Sequence, residues 1–355
     1  MGEVKLMKGN EVIAEAAIRC GADGYFGYPI TPQSEVMETL MERKPWETTG
    51  MVVVQAESEV SSINMVYGGA ACGKRVMSSS SSPGISLMCE GLTYLAGAEL
   101  PCVVVNVTRG GPGLGTIQPA QSDYYQATKA NGHGDLHLIV LTPSSIQEAA
   151  DFTTLAFELG DKYRVPVMML ADGALGQMME PVEFKDTEAA SLPEKPWATT
   201  GTEGKRKKNI INSLFIKPDE LEDSINARFE RYAEIEKNEV RSESYMTEDA
   251  DIVIVSYGIT SRICKTAIAM ARKEGIKVGM VRPITLWPYP SDAIANAAKT
   301  AKELLVVELN KGQMTGDVKL AIECSRPVSF YGRTGGMMPT PEEILEEIRK
   351  IGGRI

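Results

Sequence analysis

Cys102-Val103-Val104-Val105-Asn106-Val107 is nearly all apolar and reads as a β-strand covered on both faces; a strand with one solvent face would alternate polar and apolar residues. Thr108-Arg109-Gly110-Gly111 follows at once. Glycines at a strand end let a ligand approach the backbone closely. Buried strands of this kind belong to parallel sheets sandwiched between helices, and ligands gather at the carboxyl ends of such strands.

The pattern repeats on both sides. Further strands are expected over Tyr25 to Tyr28, Met51 to Gln55, Arg75 to Ser79, Leu136 to Leu141 and Val165 to Leu170. Helical spacing fills the intervals, clearest over Glu11 to Cys20 and Ser144 to Leu159. The alternation predicts an α/β fold with a doubly wound parallel sheet over residues 1–190. Residues 191–248 break the rhythm. Pro193 and Pro196 open a linker, and Leu221, Ile225, Phe229 and Tyr232, three or four apart among charges, predict one amphipathic helix. Residues 249–355 return to strand–helix alternation and predict a second, smaller α/β domain, with strands over Asp251 to Tyr257, Lys277 to Arg282, Glu303 to Leu309 and Val328 to Tyr331.

Composition narrows the function. The net charge of −10 argues against a nucleic-acid binder, which would carry a basic field. Single arginines in glycine-rich loops then become the natural anion ligands. Lys205-Arg206-Lys207-Lys208 reads as a solvated loop. Met1 to Lys5 is charged and no apolar run follows, so neither a secretory leader nor a membrane span is expected, and the cytoplasm is the predicted location. Cys20, Cys72, Cys89, Cys102, Cys264 and Cys324 form no close pair. That spacing argues against an iron–sulfur cluster or zinc ribbon, and no metal ligands are assigned. Cys20 and Cys72 sit in apolar helical patterns and are expected to be packed thiols. With two histidines, His133 and His137, a hydrolytic triad is a poor reading.

Four loops carry candidate chemistry. In Gly27-Tyr28-Pro29-Ile30-Thr31-Pro32, the prolines stiffen the chain and Thr31 offers a hydroxyl. Thr31 can equally cap a helix with Pro32 at its first position. Glu59 opens a helical run and shares a face with Ile63, Val66 and Ala70. A carboxylate there is either desolvated and able to share a proton with a heterocycle, or simply favoured by the positive helix end. Ser82-Pro83-Gly84 is either a polar turn before a helix or a loop facing a ligand. Arg109 offers a planar fork for a carboxylate, or is a surface arginine on a loop.

Taken together, these loops resemble the alpha subunit of the 2-oxoacid:ferredoxin oxidoreductases. Gly27 to Pro32 matches that family's hallmark loop, Glu57-Ser58-Glu59 with Asn64, Gly68 and Gly69 its glutamate-bearing helix, and Ser80 to Gly84 its Thr-Ser-x-Gly loop. Thr108 to Pro112, Arg282-Pro283-Ile284-Thr285-Leu286-Trp287-Pro288 and Glu308-Leu309-Asn310-Lys311-Gly312-Gln313 match further motifs, in order along the chain.

The resemblance implies a pyrimidine-binding domain for thiamine diphosphate followed by a transketolase C-terminal-like domain. Glu59 would hydrogen-bond the pyrimidine ring. Tyr28, Pro29, Ile30, Thr31, Ser82 and Gly84 would line the cofactor. Arg109 would hold the substrate carboxylate, and Thr31 the neighbouring carbonyl oxygen. The family's Gly-Asp-Gly segment for Mg²⁺ and the diphosphate does not occur here. The chain therefore resembles half of a site, completed by a diphosphate-binding beta chain, with a gamma chain and a ferredoxin-like delta chain carrying [4Fe-4S] clusters. The implied reaction is oxidative decarboxylation of a 2-oxoacid to an acyl-coenzyme A with reduction of ferredoxin. Chain length and Ser213-Leu214-Phe215 to Leu221 most resemble the branched-chain, 2-oxoisovalerate type. A non-redox thiamine-dependent lyase or transferase component, and a non-catalytic assembly module, are the competing readings.

Overall fold

A computed structural model of the protein describes residues 3–184 and 193–353. Residues 185–192, where the first domain was expected to give way to the linker, lie outside the described residues, as do residues 1–2 of the charged start.

The strands, in chain order, are β1 (Glu3–Lys8), β2 (Gly24–Gly27), β3 (Val52–Gln55), β4 (Val76–Ser80), β5 (Cys102–Thr108), β6 (Ile139–Leu141) and β7 (Pro166–Asp172). They continue as β8 (Met179–Phe184), β9 (Ser242–Tyr245), β10 (Ile252–Val255), β11 (Val278–Pro283), β12 (Thr285–Trp287), β13 (Glu303–Glu308) and β14 (Val328–Gly332). The first sheet has the order β12-β6-β7-β5-β4-β2-β3 and the second β14-β13-β10-β11-β9, while β1 and β8 form a separate antiparallel pair. The pairs β2–β3, β2–β4, β4–β5, β5–β7 and β6–β7 are all parallel. The doubly wound α/β reading is correct. Strand β5 lies at the centre and is buried at every position, as its apolar run requires.

The sheet boundaries differ from the sequence reading in one respect. Strand β12 comes from the second unit, yet it pairs antiparallel with β6 and closes the edge of the first sheet. Three residues carry no sheet assignment of their own, so pairing across domains is invisible to periodicity. Strands β1, β8 and β9 were also unforeseen, being short, charged and partly exposed.

The second sheet shows how one strand serves two cores. Ile252 and Ile254 face Ile268, Ile344 and Ile348 on the outer side. Val253 and Val255 face the core shared with the first sheet. Period-two alternation places them on opposite faces. Each fully buried aliphatic side chain contributes about 1.5–3 kcal/mol relative to exposure.

The linker helix, Pro218–Asn238, forms as expected but in a different rotation. Arg228, Tyr232 and Ile235 point inward, while Leu221 and Phe229 are 40% and 44% exposed. Tyr232 packs edge-on against Trp287 and His137, and His137 stacks on Trp287 at 4.7 Å. Burial lowers the His137 pKa, which suits a neutral ring in a packed cluster. Cys20 is partly buried, but Cys72 is exposed at its helix end, correcting its reading as a packed thiol. No helix of the described residues is long and apolar enough to cross a membrane.

The two units meet around Gln121. Its Nε2 donates to the Tyr257 carbonyl at 2.8 Å, and its Oε1 accepts from the Leu309 amide at 2.9 Å. Its own carbonyl accepts from Asn310 Nδ2 at 2.8 Å. Asn310 also donates to Glu308 Oε1, and the Met314 amide reaches the same carboxyl. Burial pushes the Glu308 carboxyl up to about 7, with the Asn310 and Met314 hydrogen bonds opposing the shift.

A raised carboxyl pKa makes the native state bind the proton more tightly than the unfolded chain. Stability from this group is full below pH 4.5 and is lost as pH rises through about 7. Thermal melting between pH 5 and 8 tests this. The melting temperature should fall towards pH 8, and Glu308→Gln should flatten that fall; an unchanged slope in the variant would exclude Glu308 as its source.

Candidate active site

The carboxyl ends of β2, β4 and β5 open onto the loops 28–33, 81–84 and 109–119. Serine and asparagine side chains, together with a cis Thr31-Pro32 bond, shape the first of these. Tyr25 Oη lies 2.8 Å from Ser79 Oγ, which donates to Gln33 Oε1 at 2.5 Å. Gln33 Nε2 returns to the Tyr28 carbonyl at 3.2 Å. Asn10 Nδ2 donates to the Pro32 carbonyl at 2.7 Å. The loop is therefore tied at both ends to the sheet and the first helix.

Thr31 is not a helix cap. The helix begins three residues later, over Ser34–Arg43, with Gln33 before it and no side-chain cap bond. Thr31 stands exposed, and its carbonyl accepts from Arg109 Nη1 at 3.0 Å. Tyr28 and Ile30 are half-buried and Pro29 is exposed.

Glu59 is the first residue of the helix Glu59–Ala71, whose cap is Ser58 accepting from the Ser61 amide. The two glutamates beside this cap separate cleanly. Glu57 is exposed and bonded to Ser58 and Ser61. Glu59 is 5% exposed, and Ile63, Val66 and Ala70 of its helix are buried with it. No hydrogen bond reaches its carboxylate among the described residues. A buried carboxylate without a partner is costly.

Gly84 shapes the space beside it. The helix Pro83–Gly97 starts here, with Pro83 at its first position. A Cβ on Gly84 would stand 2.5 Å from Glu59 Oε1 and 2.0 Å from Ser80 Oγ. Only glycine lets this helix turn lie against the glutamate. The Oγ atoms of Ser78, Ser80 and Ser81 are buried without a hydrogen-bond partner, and that of Ser80 lies against Gly84 on the side of Glu59.

Ser82 precedes that helix without capping it. Its φ of 26° lies in a region non-glycine residues rarely occupy, a strain of order 1–3 kcal/mol that recurs at functional sites. Ser82 Oγ lies 2.6 Å from Asp123 Oδ2 and accepts the Arg109 amide at 3.0 Å, while the Ser82 amide donates to Asn106 Oδ1 at 3.0 Å. Asn106 Nδ2 donates to the same Asp123 oxygen at 3.0 Å. Burial raises the Asp123 pKa, opposed by the bonds from Ser82 and Asn106.

Arg109 is no free surface side chain. Its backbone bridges to Pro119, and the 110–118 loop folds back on it, the Thr116 amide donating to the Gly110 carbonyl at 2.8 Å. Gly115, with φ +55°, passes so close to that carbonyl that a Cβ would sit 1.7 Å away. With Nη1 on Thr31, Arg109 Nε remains buried and unpartnered. The structure thus brings Thr31, Ser82 and Arg109 into one hydrogen-bonded run, and packs Gly84 against Glu59 and Ser80 beside it.

Asn106 and Asp123 were not singled out in the sequence. Asn106 had a signal, being the lone amide in an otherwise apolar strand. Asp123, between Ser122 and Tyr124, had none.

The site's donor set fits the pyrimidine side of thiamine diphosphate. An unpaired carboxylate faces a glycine-lined space with spare hydroxyls beside it. Comparison with known proteins points to the same cofactor. Residues 15–247 match the family model for pyruvate flavodoxin/ferredoxin oxidoreductase, thiamine diphosphate-binding, and residues 250–344 match that for pyruvate:ferredoxin oxidoreductase core domain II. The chain belongs to the 2-oxoacid:ferredoxin oxidoreductases. It is 49% identical over 349 residues to the ketoisovalerate oxidoreductase subunit VorB of Methanothermobacter marburgensis, covering 98% of each chain. It is 35% identical over 374 residues to the 2-oxoglutarate synthase subunit KorA of the same organism, covering 98% of this chain and 99% of that one. Among solved structures, the 2-oxoglutarate:ferredoxin oxidoreductase of Magnetococcus marinus, with 2-oxoglutarate, coenzyme A and succinyl-CoA bound, superposes with a TM-score of 0.85 at 29% identity. That match covers 98% of this chain and 65% of the other, so the chain spans about two-thirds of it. A split-gene transketolase shares the fold, with a TM-score of 0.59 at 12% identity and 97% of each chain covered.

Gly84→Ala tests the packing against Glu59. The methyl group must displace the carboxylate. Because a misplacement of about 1 Å can cost about 10²-fold in rate, turnover of the assembled enzyme should drop by about that factor, with a crystal structure showing Glu59 moved. Undiminished turnover would show that the glycine is not needed there.

Proposed function

We propose that this chain supplies the pyrimidine-side half of a thiamine diphosphate site in a multi-subunit oxidoreductase that converts a branched-chain 2-oxoacid to its acyl-coenzyme A and passes the electrons to ferredoxin. The observation that carries it is the buried, unpartnered carboxylate of Glu59 against Gly84. The branched-chain assignment rests on the higher identity to the ketoisovalerate subunit than to the 2-oxoglutarate subunits.

Thiamine diphosphate, when bound, supplies an electron sink for the carbon left by decarboxylation. The rest is the work of this chain's residues. Glu59 accepts and returns a proton at a pyrimidine nitrogen, and its apolar helix face keeps water from competing. Arg109 binds the substrate carboxylate through guanidinium N–H groups left after Nη1 is committed to Thr31. The Thr31 hydroxyl, on the same hydrogen-bonded run, meets the adjacent carbonyl oxygen. Tyr28, Pro29, Ile30, Ser82 and Gly84 line the cofactor.

The remaining parts belong to other chains in this reading. A beta subunit holds Mg²⁺ and the diphosphate, a gamma subunit completes the assembly, and a ferredoxin-like delta subunit carries the [4Fe-4S] clusters. The chain itself divides into a pyrimidine-binding domain over 1–190, a linker with its helix over 191–248 and a transketolase C-terminal-like domain over 249–355, working in the cytoplasm. The linker ends in β9, which already belongs to the second sheet.

The test is thiamine- and coenzyme A-dependent viologen reduction by the purified complex, offered pyruvate, 2-oxoglutarate, 2-oxoisovalerate and an aryl pyruvate. 2-Oxoisovalerate should give the highest kcat/KM. Coenzyme A-independent turnover without viologen reduction would favour a non-redox component instead. Glu59→Gln should lower kcat at least ~10²-fold, the low end for a positioned proton-transfer group. Arg109→Ala should raise KM for the acid about 10- to 100-fold, as expected on losing a charge-assisted hydrogen bond. Full activity in either variant removes that residue's role.

A further inference from the structure

We infer that Asp123 is the positioning residue that aims Arg109, and that through it the second α/β unit governs affinity for the 2-oxoacid. The inference rests on the function proposed above, and deepens it.

Asp123 sits on a segment that the second unit holds from several sides. The Gln121 amide donates to the Leu309 carbonyl at 3.0 Å. Gln313 Nε2 donates to the Ser122 carbonyl, and Gln313 Oε1 accepts from the Tyr125 amide, each at 2.8 Å. Tyr124 Oη donates to Asp317 Oδ2 at 2.5 Å. Few exposed-loop freedoms remain to residues 121–125, and Asp123 is 8% exposed within them.

Its chemistry fixes a direction. An ionised carboxylate only accepts, and Oδ2 takes both the Ser82 hydroxyl proton and an Asn106 amide proton. The Ser82 hydroxyl has one proton. Once that proton points at Asp123, the Ser82 lone pairs face the Arg109 amide at 3.0 Å rather than the proton facing the Arg109 carbonyl at 3.2 Å. Asp123 thereby decides how Ser82 holds the Arg109 backbone. The guanidinium, anchored at its far end on Thr31, follows. No cation pairs with Asp123 among the described residues; its partners are neutral donors. Its place in the site is therefore orientation, and the group it orients is the one that meets the acid.

The experiment uses the assembled complex and compares Asp123→Ala, Asp123→Asn and Ser82→Ala. KM for the 2-oxoacid, KM for coenzyme A, kcat and melting temperature are measured, with calorimetric binding of a non-decarboxylating carboxylate analogue of the acid as a second readout. Asp123→Ala should raise KM for the acid and the analogue's Kd by about tenfold, the loss expected for a buried hydrogen bond, with KM for coenzyme A unchanged. Asp123→Asn keeps an oxygen acceptor at the same place and should restore both to within about threefold of the parent. Ser82→Ala should reproduce the Asp123→Ala effect, and the double variant should add nothing, because both break one relay. Should Asp123→Ala fail to assemble, the Asn and Ser82 variants decide. Unchanged acid affinity in Ser82→Ala overturns the proposal. So does a parallel rise in both KM values that follows the melting temperature and that Asp123→Asn shares. A parent complex with no thiamine-dependent turnover of any 2-oxoacid would instead overturn the function on which the inference rests.

Discussion

Asn106 is an amide in the middle of a strand with no solvent face, and the site is built around satisfying it. A buried amide left unpaired costs a large fraction of a domain's stability. Asn106 meets that constraint by accepting from the Ser82 amide and donating to Asp123. Those two bonds draw the end of β4 and the segment after the glycine-rich loop to the end of β5. Three loops that are far apart in sequence therefore converge at one point. Ser82 adopts its unusual backbone there because the surrounding bonds over-determine it.

The same arrangement joins the two α/β units. Gln121 lies two residues from Asp123 and bonds to Tyr257, Leu309 and Asn310 of the second unit. Strand β12 reaches back to edge the first sheet. Two carboxyls are buried close to this junction. Asp172 caps the short helix that follows β7 and is raised to about 6 by burial, while Glu308 is raised to about 7. Ordered polar groups of this kind tolerate no slack, since a half-satisfied network is worse than an apolar one. The second unit thus acts as a brace for the loops that carry the site. Glu59 lies apart from this brace, on the apolar helix face, and its carboxylate has no hydrogen-bond partner among the described residues.

The sequence reading identified the sheet and the loops because each depends on local signals. Apolar runs marked β5, β6 and β7, and helical spacing marked the helices between them. The choice of Glu59 over Glu57 came from matching the family's glutamate-bearing helix through Gly68 and Gly69, and the structure buries Glu59 and exposes Glu57. Helix phase failed where burial was partial. Leu221 lies on the exposed side of the linker helix, and Phe229 is only partly covered although its ring meets Tyr232 and His137; Arg228, Tyr232 and Ile235 form the buried side. Thr31 carried the right residue types for a cap, yet tertiary bonds to Gln33 and Arg109 delay the helix to Ser34.

Sequence alone determined the α/β class, the order of the loops and the residue types available at each strand end, since these follow from periodicity and from what glycine, proline and serine permit locally. The tertiary structure decided which of those side chains meet. The pairing of Asp123 with Ser82 and Asn106, the grip of Arg109 on Thr31, the space Gly84 leaves for Glu59 and the crossing of β12 between sheets all join residues distant in the chain. Hydrogen bonds and packing between such residues depend on the relative placement of whole elements, and no local pattern encodes that placement.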